Sequence, residues 1–523
     1  MSTRAFCLVL HGHLPWVLHH GRWPHGEDWL FEAAAETWLP LLEVLDRCER
    51  DGIRPAWTVG LMPILLEQLT HERFRLGFER YLEHAIERAD ADAEGLSCSH
   101  QAWLAERWSG ILRGRLDRFR EIEGDIVGAL VGHAERGAIE LLTSNATHAY
   151  HPLLLHDACA RAQIRAGRAT SARHFGFQPS GMWLPECAYR PSGPWMPPAL
   201  HGDVRYRDGV GAIVGAEDVG FYFVDTHLLP DDVLRPYRVL EGGRQVGPTV
   251  LGRCPDVSEQ VWSGKVGYPG DPCYLEFHKR EGAQGLRYWK VTGREIDLGD
   301  KELYYPDDVG GVVHRHGVHF VDQVLRRLGE HGGDAVVTAP FDAELFGHWW
   351  HEGPEFLYEV AARIHHNADV VAMTASEAIA AVDAPPAALP EGSWGAGGDH
   401  RVWNNDELRW YWEMAYRAED RFLDLWHRTP WRVDGEIREL LTEAGRQLLL
   451  LQASDWPFVI HTRGAVDYGM QRIHEHAGLF DDLAIGVEDA ASGRPRDPVV
   501  TAALERARLL DPVFPDLDLA WWT

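Results

Sequence analysis

Residues 5–15 read AFCLVLHGHLP: six apolar residues without a charge, then two histidines two positions apart and a proline. A short uncharged run bounded by turn residues suits a strand covered on both faces. The pattern recurs along the chain. Pro55–Val59 runs into Gly60, Ala138–Leu142 into Thr143-Ser144-Asn145, and Gly181–Leu184 into Pro185-Glu186. Ala335–Thr338 runs into Ala339-Pro340-Phe341-Asp342, and Asp369–Met373 into a helix beginning near Ser376. Buried strands alternating with helical patterns predict an α/β fold with a parallel sheet and helices outside it. The polar and ionisable residues cluster just after the strands, the end at which such folds build sites.

Between these strands the texture changes. Residues 70–137 are dense in Arg, Glu and Leu, with Phe74, Phe78, Tyr81, Leu82 and Ile86 at helical spacing, and predict a helical insertion. Residues 190–330 are rich in Gly, Pro and Tyr and read as an irregular loop region. Residues 384–399, APPAALPEGSWGAGGD, have linker composition. The expected organisation is a catalytic unit over 1–383, a linker over 384–399 and a C-terminal helical domain over 400–523.

Composition excludes several classes. With 45% hydrophobic and 25% charged residues the chain is neither disordered nor fibrous. No run reaches the ~18 apolar residues needed to span a bilayer, and the first ten residues read as a strand without a cleavage site. A net charge of −28 repels phosphate backbones and anionic membranes, so neither nucleic acid nor membrane is an expected partner. Seven widely spaced cysteines without a CxxC pair fit a reducing cytoplasm. Twenty-two tryptophans are the unusual count. Indoles stack on the apolar faces of sugars and also fill cores, so carbohydrate is the first substrate class to consider.

Four constellations carry chemistry. His11 and His13 share one strand face and suit either a metal pair or a grip on substrate hydroxyls. Glu186, in Trp183-Leu184-Pro185-Glu186-Cys187-Ala188-Tyr189, is a carboxylate fenced by Trp, Pro and Tyr, able to serve as nucleophile or general acid. Asp342, in TAPFDAELFGHWWH at 338–351, places a second acid after an apolar strand, with Trp349 close behind. Two carboxylates at strand ends far apart in sequence are what glycoside chemistry needs. Asp342 with Glu344 could alternatively form a metal cage, but neither HExxH nor an EF-hand loop occurs. Asp455 and Trp456, in Ser454-Asp455-Trp456-Pro457, suit a hydroxyl acceptor beside a stacking face, or simply a helix terminus.

Together, HGHLP at 11–15, TSNATHAYHPLL at 143–154, MWLPECAY at 182–189, TAPFDAELFGHWWHEG at 338–353 and SDWPF at 454–458 resemble glycoside hydrolase family 57. VWSGKVGYPGDPCY at 261–274 and GSWGAGGDHRVWNNDEL at 392–408 are similar to stretches of its 1,4-α-glucan branching enzymes, and the resemblance runs along nearly the whole chain. It implies an incomplete (β/α)7 barrel with a helical insertion and a C-terminal α-helical domain. It implies retaining double displacement on an α-1,4-glucan, without metal or cofactor, that forms α-1,6 branches. Glu186 would be the nucleophile and Asp342 the general acid and base, with carboxyls ~5–5.5 Å apart. His11, His13, His148 and Asp455 would bind the sugar at the cleavage point. Trp262, Trp403 and Trp412, with Trp29, would line the glucan groove, and Tyr237 would close over the site from the 228–249 segment. An α-amylase or 4-α-glucanotransferase of the same family is the runner-up. A metal-dependent carbohydrate deacetylase and a catalytically silent glucan-binding protein are the readings from other classes.

Overall fold

The computed structural model describes residues 2–22, 24–200, 202–282 and 285–523. Eleven strands occur along them: β1 (Arg4–Gly12), β2 (Trp57–Leu61), β3 (Ile139–Leu142), β4 (Gly193–Trp195), β5 (Arg205–Arg207), β6 (Phe221–Val224), β7 (Tyr237–Glu241), β8 (Arg244–Gly252), β9 (Ala335–Asp342), β10 (Val371–Ala372) and β11 (Pro386–Ala388). β1 is the centre. β9 pairs in parallel with it from Arg4↔Ala335 to His11↔Asp342. Its other edge takes β2, from Val9↔Thr58 to Gly12↔Leu61, and β10 at its start. β3 continues in parallel beyond β2. Phe6, Leu8, Val9 and Leu10 are all buried, and each such side chain contributes about 1.5–3 kcal/mol.

The sheet curls back on itself. Parallel bridges Thr143↔Met182 and Gly181↔Phe221 carry it from β3 through residues 181–183 to β6. β6 pairs in parallel with β8. Just past β8, the Cys254 N–H donates to the Thr338 carbonyl (2.9 Å) and so reaches β9. β1, β2, β3, 181–183, β6, β8 and β9 are thus seven staves of a barrel, incomplete because several are joined by single bridges. β7, antiparallel to β8, and β11, parallel to β7, extend the sheet sideways.

The insertion consists of helices Glu72–Gly95, Ser99–Glu121 and Ile126–Glu135. Phe74, Phe78, Leu82 and Ile86 form the buried stripe of the first, and Phe78 meets Phe119 edge-on at 4.8 Å. Beyond residue 408 the chain is helical: Arg409–Arg428, Gly435–Leu451, Asp455–His461, Val466–Ala491 and Pro498–Leu510.

Two sequence expectations need correction. The stretch 190–330 is not irregular throughout. It holds β4 to β8 and helices Val210–Ala216, Pro255–Trp262 and Gly310–His331. Loops dominate only from 263 to 309, where Tyr268, Tyr274, Tyr288 and Tyr304 are buried. Nor is 384–399 a free linker. It pairs as β11, bridges Gly392 to Tyr189, and packs Trp394 against the core. Its glycines serve close approach. A Cβ on Gly395 would stand 2.6 Å from the Trp403 ring, and one on Gly392 would stand 2.7 Å from the Gly398 carbonyl oxygen.

Candidate active site

The register that pairs His11 with Asp342 sets the site. It lies at the carboxyl ends of the barrel strands. β1 delivers His11 and His13, the turn after β3 delivers His148, the 181–183 stave delivers Glu186, and β9 ends on Asp342. Glu186 sits on the short turn Pro185–Cys187 with a left-handed backbone (φ 58°), as does Cys187 (φ 48°). His148 has φ 57°. Three non-glycine residues held there carry strain of the kind found at functional sites.

Both Glu186 oxygens are engaged. The Trp394 indole N–H donates to Oε2 at 2.8 Å, and the Ser454 hydroxyl donates to Oε1 at 3.3 Å. His148 Nδ1 lies 2.9 Å from the Ser454 hydroxyl oxygen. With Ser454 donating to Glu186, His148 donates in turn through Nδ1, which fixes its tautomer. Burial lowers the pKa of His148 well below the ordinary value, and so do the neighbouring His13 and His11, so it is neutral. Burial and then His13 do the same to His11.

His13 is shifted the opposite way. Burial works against its proton, but Asp455 overcomes this by charge and by hydrogen bonds from Nε2 at 2.8 and 2.9 Å, and the pKa is raised. The rings form a stack, with His11 on Trp183 (4.4 Å) and His148 on His13 (4.1 Å).

The two carboxyls that sequence singled out are both perturbed. Burial pushes Glu186 up to about 7, against the Trp394 hydrogen bond and with help from the charge of Asp342. Asp342 opens to solvent and has no hydrogen-bond partner among the described residues. The protein around it reduces its hydration and pushes it up to about 6, opposed by His13 and Arg253. Glu344, two residues on, is buried and pushed up to about 8.

The tryptophans divide. Trp262 and Trp349 expose about half their surface, 55% and 49%. The Arg253 guanidinium lies over Trp262 (5.4 Å) and Trp394 (5.9 Å), held by Asp225 at 2.8 Å. Trp349 packs on Phe277 at 4.3 Å. Trp29 is half-buried beside His25. Trp403, Trp412 and Trp456 are 1% exposed and offer no face to a ligand, contrary to expectation. Trp412 donates to the Trp403 carbonyl and Trp456 to that of Leu450, so these indoles build the wall from behind.

Tyr237 is also not where a lid residue would be. It lies buried in β7 and its hydroxyl donates to the Asp232 carbonyl at 2.8 Å, because the 228–249 segment folds into the side sheet. Sequence reasoning missed Trp394, Ser454 and Arg253 as site residues. An indole among the glycines of a supposed linker was the available signal for Trp394, and Ser454 lay inside a quoted motif. Nothing marked Arg253.

Among the described residues, no group of three or more His, Cys, Asp and Glu is arranged to hold a metal ion.

Comparison with known proteins gives the family and the fold. Residues 7–241 match the family described as Glycosyl hydrolase family 57, and residues 414–522 match 1,4-alpha-glucan branching enzyme, C-terminal. A 1,4-alpha-glucan branching enzyme of Thermococcus kodakarensis is 38% identical over 499 residues, 91% of this chain and 72% of that protein. The crystal structure of a GH57-type branching enzyme from Pyrococcus horikoshii superposes with a TM-score of 0.94 at 36% identity, covering 99% of this chain and 96% of that one. The α-amylase AmyC of Thermotoga maritima superposes at 0.84 with 29% identity, covering 100% and 99%. The 38% identity across most of both chains, with the matched segments 7–241 and 414–522, places the chain in glycosyl hydrolase family 57, among members that carry the branching-enzyme C-terminal domain.

Proposed function

We propose that this chain is a 1,4-α-glucan branching enzyme that works by retaining double displacement, with Glu186 as nucleophile and Asp342 as general acid and then base. The observation that carries the assignment of roles is the contrast in tethering. Glu186 is fixed by Trp394 and Ser454, while Asp342 stands free in the cleft. Attack on the anomeric carbon needs an aimed, ionised carboxylate, and the two hydrogen bonds favour that form. A sugar entering beside Asp342 displaces water and favours its protonated form, which then donates to the departing glycosidic oxygen.

The covalent glucosyl–Glu186 ester is resolved by an acceptor hydroxyl, whose proton passes to Asp342. The 6-hydroxyl of a second glucan gives an α-1,6 branch and water gives hydrolysis. His13, hydrogen-bonded to Asp455, and neutral His11 and His148 are assigned to the hydroxyls of the sugar at the cleavage point. Trp262, Trp349 and Trp29 are assigned to the glucan groove. The substrate class is α-1,4-glucan of the glycogen type, in the cytoplasm. The free state of all seven cysteines supports the compartment.

A second reading has its own observation. Tyr237 is bound into the side sheet, so it does not cover the cleft against water, and the likeness to an α-amylase fits a hydrolytic component. Incubation with amylose followed by a debranching enzyme tests both. New short chains released only after debranching establish branching; a rise in reducing ends with no such chains overturns it in favour of hydrolysis.

A further inference from the structure

A cavity of about 690 Å³ lies between the helical insertion, helix Glu27–Ala33 and residues 285–287. None of the groups around Glu186 or Asp342 lines it. Its acids are largely committed. Asp28 holds Arg22 (2.9 Å), Glu32 holds Arg280 (3.0 Å), and Glu36 holds Arg287 together with His348 Nδ1 (2.7 Å).

Two arginines of the lining, Arg88 and Arg115, have no ion pair among the described residues, and Arg115 is the buried one. It reaches the cavity from helix Ser99–Glu121, and the residue is only 7% exposed. Among the described residues it has no hydrogen-bond acceptor and no acid within ion-pair distance. Burial lowers its pKa, against the more distant charges of Glu36 and Glu43. A buried guanidinium left without a partner is costly and therefore rare.

We propose that Arg115 anchors a second ligand site, which takes a phosphorylated monosaccharide. The planar guanidinium fork matches a phosphate in two parallel hydrogen bonds. The cavity is far larger than a phosphate group and falls within the range of small-molecule pockets. Its remaining lining suits a sugar. Trp108, Leu112, Ala35 and Ala85 offer apolar faces, and Glu87 and His84 offer polar groups for hydroxyls. The site also touches the loop that follows Asp342. The Trp108 ring packs on His351 at 5.1 Å, and Arg287 donates to the His348 carbonyl at 3.2 Å.

Titration calorimetry on the full chain without glucan tests this independently of the branching reading. Glucose 1-phosphate, inorganic phosphate and glucose are the three probes. Saturable binding of glucose 1-phosphate, tighter than that of either other probe, is expected. Arg115→Gln should weaken it by about tenfold or more, the loss of a charge-assisted pair. Its melting temperature should not fall, because the substitution removes a buried unpaired charge. Ala85→Leu, which fills the cavity and keeps Arg115, should weaken binding as well. Binding of glucose 1-phosphate unchanged in both variants, equal affinity for inorganic phosphate, or no saturable binding to the wild type overturns the proposal.

Discussion

The two shoulders of the cleft are built on opposite plans. On one side Glu186 has a left-handed backbone and both oxygens held, by groups 208 and 268 residues away in sequence. On the other, Asp342 ends an ordinary extended strand (φ −64°, ψ 130°) and its carboxyl is untethered. The difference suits the division of labour proposed for them. A nucleophile meets one carbon along one line and gains from a fixed aim. An acid that later acts as base must serve a leaving oxygen and then an incoming one, and gains from freedom to turn.

Removing each acid breaks the contrast most directly. Glu186→Gln keeps the shape and both donors' positions but cannot attack, so turnover should fall by about four orders of magnitude or more. Asp342→Asn should cost about 10²- to 10⁴-fold, the usual worth of general acid–base catalysis, and less on a substrate whose leaving group needs no proton. Turnover assays on amylose and on an aryl glucoside separate the two. If Asp342→Asn is equally damaging on both substrates, the roles proposed here are wrong.

The wall behind Glu186 can be broken without touching the acid. Trp403 and Trp262 are both indoles near the site, one buried and one half-exposed. Trp403→Ala should destabilise the fold by about 3–5 kcal/mol through the cavity it leaves, whereas Trp262→Ala should leave stability within about 0.5 kcal/mol, as surface changes do. Chemical denaturation measures both. Equal losses would mean that the exposed indole is structural as well.

The tether itself is the next target. Burial raises the pKa of Glu186 to about 7 even though the Trp394 hydrogen bond lowers it. Trp394→Phe removes that bond, so the pKa rises further. Glu186 must be ionised and Asp342 protonated for the first step, so with Glu186 at about 7 and Asp342 at about 6 the basic limb of the kcat/KM profile reports Glu186 and the acid limb Asp342. The basic limb should move to higher pH by about one unit for the loss of a hydrogen bond to a charged group, and the peak should fall about tenfold, because less of the enzyme then holds both forms at once. The acid limb should stay, and a shift of the acid limb alone would reassign the tether.

This tether also marks where sequence became illegible. The apolar runs before His11, Glu186 and Asp342 could be read because a buried parallel strand leaves a local signature, and each acid follows its run at once. The glycines at 392, 395, 397 and 398 have the composition of a flexible connection, yet two of them stand where a Cβ would strike Trp403 or the Gly398 carbonyl. Composition reports which conformations a segment can adopt and not what presses against it. The tryptophans failed for a related reason. Whether Trp403 and Trp412 face solvent or core depends on helix Arg409–Arg428 packing on a distant part of the chain, a long-range choice absent from local spacing. Tyr237 alternates within a strand, and that strand pairs with β8 only because the 228–249 segment folds as a hairpin.

The smallest effect concerns the Asp342 side of the cleft. Trp349 exposes 49% of its surface, while its neighbour Trp350 is buried at 1%. Phe277 backs Trp349 at 4.3 Å, so its outer face is held in place without being covered. An aromatic platform of this kind contributes about 0.5–1.5 kcal/mol to a stacked partner, which converts to a two- to tenfold change in binding. Trp349→Ala should therefore raise KM for long glucans by about that factor, with kcat unchanged, as a platform that binds ground and transition states alike would do. Trp350→Ala should act oppositely, lowering stability with little change in KM for the molecules that remain folded. A fall in kcat for Trp349→Ala at constant KM would place the ring at the reacting sugar and give the Asp342 side a fixed element after all.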